Sequence, residues 1–99
     1  MPTLLKRTET LLDKAIAEWA EYERPEAWGR SGKGNLTREW DGSRVTIFRR
    51  DGGFHWCLSH PIDGTRFSHG AFPSERSAQQ AAGTAAGVAY WYVVSKEVA

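Results

Sequence analysis

The chain has 99 residues, enough for one domain and one core, with 13 basic and 12 acidic side chains and a formal net charge of +1. A near-neutral balance supplies no global field for nucleic acid or an anionic membrane, and no apolar run approaches the roughly 20 residues of a membrane span. The single cysteine leaves no internal disulfide framework and no multi-cysteine zinc site.

Ile, Leu, Val and Phe together number only 18, but five Trp supply the missing bulk. The expected object is a single compact domain over 1–99 with an aromatic core. The opening MPTLLKRTETLL has no long apolar stretch before a small-residue cleavage site. With the lone cysteine, this makes the cytoplasm the expected compartment.

Leu4, Leu5, Leu11, Leu12, Ala15, Ile16, Trp19 and Ala20 recur at helical steps, so a helix is predicted over about 3–24. Thr3 is placed as its N-cap, and Pro25 ends it by disfavouring helix at Arg24. Glu18, Glu21, Glu23 and Glu26 gather at its far end, against the helix dipole, as a solvated face or an acidic contact surface. Residues 25–35 read as a connector. Gly29-Arg30-Ser31-Gly32-Lys33-Gly34-Asn35 has the look of a phosphate-binding loop, but Gly34 follows Lys33 where Ser or Thr is needed and the glycine spacing is wrong.

Residues 36–70 read as a β-meander. Asp41-Gly42 and Asp51-Gly52 sit between alternating runs, the pattern of primed hairpin turns. Those turns pair Glu39 with Arg44, Leu36 with Ile47, Ile47 with Trp56 and Phe48 with His55. A third loop taken as Pro61–Gly64 pairs Leu58 with Phe67 and Ser59 with Arg66. One face then carries Leu36, Trp40, Val45, Ile47, Phe54, Trp56, Leu58 and Phe67, and is the expected core face. The other carries Thr37, Glu39, Arg44, Thr46, Phe48, Arg50, His55, Cys57, Ser59, Arg66 and Ser68.

A last helix is predicted over about 74–92, capped by Ser74, with Glu75 in the first turn and an alanine-rich face. Gly83 and Gly87 are read as close-packing positions. The fold class is α+β: an antiparallel three- to four-stranded meander, with an N-terminal and a C-terminal helix on one face and the other face open.

Little here points to catalysis or a cofactor. His55 and Cys57 fall on the open face while His60 and His69 fall on the other side, so four ligands do not converge on one metal ion. Cys57 has His55 two residues away, and Arg44, Arg50 and Arg66 are expected to lower its pKa. A strand surface offers this thiol no pocket, no oxyanion hole and no orienting carboxylate. No G-x-S-x-G elbow occurs. The open face itself stands out, with Arg44, Phe48, Arg50, His55 and Arg66 as candidate binding residues and Arg30 and Lys33 as auxiliaries. Arginines around an exposed aromatic suit a protein interface or a nucleic acid strand.

The α-β-β-β-α order and the helix start Ser74-Glu75-Arg76-Ser77-Ala78-Gln79-Gln80-Ala81-Ala82 resemble the double-stranded RNA-binding domain family. Ser74, Ala78, Ala81 and Ala82 match the spacing of its Ser-Lys-Lys-x-Ala-Lys-x-x-Ala-Ala motif. The family's RNA-contacting lysines fall at Glu75, Arg76 and Gln79 here. The resemblance thus implies topology, without the charges that grip phosphates.

The expected function is a small non-enzymatic module without cofactor or metal. It would be an adaptor or inhibitor that binds a protein of a larger macromolecular machine, similar in size to phage or mobile-element inhibitors. The alternative is a nucleic-acid-binding module using the open face. Either would be a monomer, or a homodimer through the edge strand Leu36–Trp40.

Overall fold

The computed structural model describes residues 2–88, and the side chains of residues 11–88. It is an α+β fold. Helix α1 (Pro2–Tyr22) leads through a 3-10 turn at Pro25–Ala27 into a five-stranded antiparallel meander. The strands are β1 (Gly29–Arg30), β2 (Leu36–Trp40), β3 (Ser43–Arg50), β4 (Gly53–His60) and β5 (Gly64–Phe67), in sequential order, and helix α2 (Glu75–Ala85) follows.

The two Asp-Gly turns set the register as expected. Asp41 and Gly42 have φ of 49° and 82°, and Asp51 and Gly52 have 53° and 80°, the left-handed pairs that a two-residue hairpin needs. Glu39 faces Arg44, Leu36 and Trp56 both face Ile47, and Phe48 faces His55.

The third loop is different. Its residues are Pro61–Asp63, and Gly64, at φ +85°, already pairs with His60. The His60 ring explains the shorter loop, since its Nδ1 accepts hydrogen bonds from the Ile62 and Asp63 amides at 3.1 and 3.0 Å. Cys57 therefore faces Phe67, and Leu58 faces Arg66. A shift of one residue exchanges the two faces of a strand. Phe67 leaves the expected core face and is 58% exposed. Arg66 leaves the expected open face and donates from Nη2 to the Ala85 carbonyl at the end of α2, 3.1 Å away.

Other boundaries move for local reasons. The connector over 25–35 contains β1, which pairs Gly29 with Thr37 and Arg30 with Leu36. Its turn is closed by the Ser31 amide donating to the Asn35 carbonyl and the Gly34 amide to the Ser31 carbonyl, both at 2.8 Å. β1 also covers the start of the edge that Leu36–Trp40 was expected to present.

α1 ends at Tyr22, short of Arg24. Its last carbonyls accept from Trp28 Nε1, 2.6 Å from the Tyr22 oxygen, and from Arg38 Nη1, 2.7 Å from the Glu21 oxygen. Arg38 thus brings positive charge to a helix end otherwise crowded with acids.

α2 starts as expected, with Ser74 and Ser77 capping each other's amides at 3.0 and 3.1 Å. It stops at Ala85 because Gly87 takes φ +91°. The Gly87 and Val88 amides then close back on the Thr84 and Gly83 carbonyls at 3.2 and 2.9 Å, a Schellman end. Gly87 is therefore a helix terminator and not a close-packing position. Residues 89–92 of the expected helix lie outside the described residues.

α2 packs on β3 and β4 through Ala78 and Ala82, both fully buried against Val45, Ile47 and Leu58. Gly83 is a close-packing position, since a Cβ there would lie 2.7 Å from the Tyr22 ring and 2.8 Å from Trp19. Among the described residues, Tyr22 is the largest fully buried side chain. Its ring meets Trp19, Trp28 and Trp40 edge-on, with centroids 5.4–5.6 Å apart. Its hydroxyl donates to the Gln79 carbonyl at 2.6 Å. Burial pushes the phenol pKa well above its ordinary value.

Candidate functional site

The helices occupy one side of the sheet, and the residues on the other side come from alternate positions of β2–β5. β3 contributes Arg44, Thr46, Phe48 and Arg50, β4 contributes His55, Cys57 and Ser59, and β5 contributes Thr65 and Phe67.

Three rings form a row there. Phe48 and His55, directly paired across β3 and β4, stack with centroids 5.6 Å apart and planes 18° apart. Phe67 presents its edge to Phe48 at 6.5 Å. His55 is steadied from β5's side by the Ser68 hydroxyl, 3.4 Å from Nδ1. The row exists because the β4–β5 register delivers Phe67 to this side. The cue was the glycine of Asp63-Gly64, which can enter the strand as a left-handed residue and shorten the loop.

The charges are sparser than expected. Arg44 is bound to its cross-strand neighbour Glu39, with Nη2 2.9 Å and Nε 3.0 Å from Oε1. Arg50 is exposed at the end of β3, beside the Asp51-Gly52 turn. Arg66 is on the helix side, as described. Arg30 is there too, gripping Glu75 with two hydrogen bonds of 2.6 and 3.0 Å. Lys33 is exposed in the β1–β2 turn, away from the ring row. Of the five expected face residues, Arg44, Phe48, Arg50 and His55 come together, Arg66 does not, and Phe67 joins them.

Cys57 lies between Thr46 and Phe67 on this face. Burial raises its thiol pKa, the reverse of the lowering expected from nearby arginines, because Arg66 faces away and Arg44 is engaged by Glu39. Of the histidines, His60 pins the third loop. Among the described residues no three His, Cys, Asp or Glu side chains are grouped as metal ligands. No helix among them is long and apolar enough to cross a membrane.

The start of α2 is occupied by internal bonds. Glu75 is held by Arg30, Arg76 Nη2 lies 3.5 Å from Glu23, and the Gln79 carbonyl accepts from Tyr22. These are the three positions where the resemblance to double-stranded RNA-binding domains would put lysines. No family model, curated protein or solved structure matches the chain.

Proposed function

We propose that this chain is a small non-enzymatic binding module that docks a protein partner on its open sheet face, as an adaptor or inhibitor. The observation that carries this reading is the Phe48–His55–Phe67 row on a sheet face that no helix covers among the described residues. Aromatic side chains held in place by their neighbours lose little entropy on binding and anchor protein interfaces, with arginine at their margin. Arg50 occupies that margin, and Arg44 is already half-neutralised by Glu39. A face whose charged residues are two arginines and one glutamate has little with which to neutralise a run of phosphates.

The test compares the wild-type chain with Phe48→Ala/Phe67→Ala in affinity capture from the native host. A partner that wild type retains and the variant loses is the expected result. A partner held equally by both removes the face from the interface. A parallel titration with labelled single- and double-stranded DNA and RNA, at low and physiological salt, addresses the nucleic-acid alternative. Binding that survives physiological salt and vanishes in Arg44→Glu/Arg50→Glu would replace the protein reading.

A further inference from the structure

We propose that His60 is a proton-operated latch: a proton added to its ring opens the Pro61–Asp63 loop, releases β5 from its register and takes Phe67 out of the ring row. The latch regulates the open face, and so rests on the docking role proposed for that face.

The latch is built on one ring nitrogen. His60 Nδ1 accepts hydrogen bonds from the Ile62 and Asp63 amides at 3.1 and 3.0 Å. An imidazole nitrogen accepts only through a lone pair, so Nδ1 is bare and Nε2 carries the proton. An added proton goes to Nδ1, where it points at two N–H groups. The Asp63 carboxylate is the acceptor within reach, with Oδ2 3.6 Å from Nδ1. Protonation thus exchanges two bonds that close the loop for one bond to a side chain. The side chain of His60 is 27% exposed, so the proton can reach it, and Ile62 and Asp63 are exposed, so their freed amides turn to water.

Nε2 keeps its proton in both states. It lies against the Asp41-Gly42 turn, where a Cβ on Gly42 would come within 3.6 Å of it. The charged groups around the ring, among the described residues, are Asp63 in its own loop, Asp41 in that turn and Arg66 on β5, two residues beyond Gly64. Glu18 of α1 lines the cleft beside Asp41 and Trp40. Arg66 is already engaged by the Ala85 carbonyl, α2 brings no base in its last turn, and Arg44 at this end of β3 is on the other side of the sheet with Glu39. An imidazolium formed here therefore meets carboxylates and one occupied guanidinium.

β5 is the strand such a change can move. It is an edge strand of four residues, all exposed, and its only strand neighbour is β4. The loop decides which of its residues meets Cys57. With Gly64 drawn back into the loop, Phe67 would pair with Leu58 and leave Phe48, its neighbour at 6.5 Å. Histidine is the side chain that changes charge between about pH 5 and 8, so the row is complete towards the upper end of that range and broken towards the lower.

The test is NMR of the full chain between about pH 8 and about pH 5. At the upper end, nitrogen–nitrogen couplings from the Ile62 and Asp63 amides to His60 Nδ1 and a Phe48–Phe67 cross-peak are expected. At the lower end all of these are expected to vanish while the Tyr22–Trp28 contacts stay. His60→Asn offers an amide oxygen in place of Nδ1 and does not titrate, so the Phe48–Phe67 cross-peak is expected throughout. A protonated His60 with the row intact overturns the proposal, as does a ring still neutral at the acid end. A cross-peak lost equally in His60→Asn assigns the change to another group, and loss of the Tyr22 contacts with it shows general acid unfolding; either overturns the latch. If His60→Asn fails to fold, His55→Gln decides, since the loss must persist there and its disappearance places the proton on His55. No partner enters the test, so a failed latch leaves docking on the open face to be decided by capture.

Discussion

The sheet carries an aromatic cluster on each side, and the two are built differently. On the helix side, Tyr22 sits among Trp19, Trp28 and Trp40 with no exposure, and its hydroxyl is bonded to α2. On the open side, Phe48 meets both His55 and Phe67, yet Phe67 remains 58% exposed. The first cluster joins three separate pieces of the fold: the end of α1, the 3-10 turn and β2. The second joins adjacent strands already joined by their backbones. Ring packing alone therefore does not separate a core from a display surface. What separates them is whether removing the rings disconnects elements that nothing else connects.

The largest expected effect follows from that difference. Tyr22→Ala should cost about 3–5 kcal/mol in chemical denaturation, because it empties the junction of α1, α2 and β2. An equal loss from Phe48→Ala would break the distinction. Gly83→Ala should come next. Its new methyl would fall within 3.0 Å of Trp19 and Tyr22, and overpacking costs of about 1–3 kcal/mol exceed the gain of about 1 kcal/mol in helix propensity. A net stabilisation would mean that the α1–α2 contact is looser than described.

Tyr22 also gives a pH signature. Its pKa is raised in the folded state, so the fold favours the protonated phenol over the phenolate. The unfolded phenol titrates near pH 10. The stabilisation is complete below that value and is lost as pH rises above it towards the folded pKa. Melting temperature against pH should fall more steeply above about pH 10 for wild type than for Tyr22→Phe. Identical slopes would show that the phenol is not sealed from water.

Much of this fold is legible in the residues, and the failures share a cause. The Asp-Gly turns fix positive-φ pairs locally, so two registers follow from two dipeptides. The Ser74 cap and the closeness at Gly83 were legible for similar reasons, a hydroxyl at a helix start and a missing Cβ on a packed face. The third register rests on Gly64 entering the strand at positive φ and on the His60 ring accepting from the Ile62 and Asp63 amides; the Asp63-Gly64 pair hints at the first, but the ring's position is not written in any dipeptide. β1 was hidden because two residues are too short for any alternation. Tyr22 does not stand out in the sequence, because the apolar steps of α1 run to Ala20 and the ring's partners come from residues 28, 40 and 79. For the candidate site, the Phe48–His55 pair was legible from turn chemistry and Phe67 was not, since its side of the sheet rests on the one loop that differed.

Substitutions that separate binding from folding sharpen the comparison further. Phe48→Ala should cost only about 1 kcal/mol of stability, the scale of a cross-strand aromatic pair, while removing the proposed anchor. The smallest expected effect tests the third register directly, through Arg66→Gln and Arg44→Gln. Arg66 reaches the carbonyl end of α2 at Ala85, so Arg66→Gln should lower the melting temperature slightly and leave partner capture intact. Arg44 is exposed and bound to Glu39, so Arg44→Gln should leave stability unchanged and weaken capture by freeing a carboxylate beside the ring row. Had the loop been one residue longer, Arg66 would pair with Ser59 and stand on the open face beside Arg44, and the two variants would behave alike. A loss of capture in Arg66→Gln without any change in melting temperature would restore that longer loop and return Phe67 to the covered face.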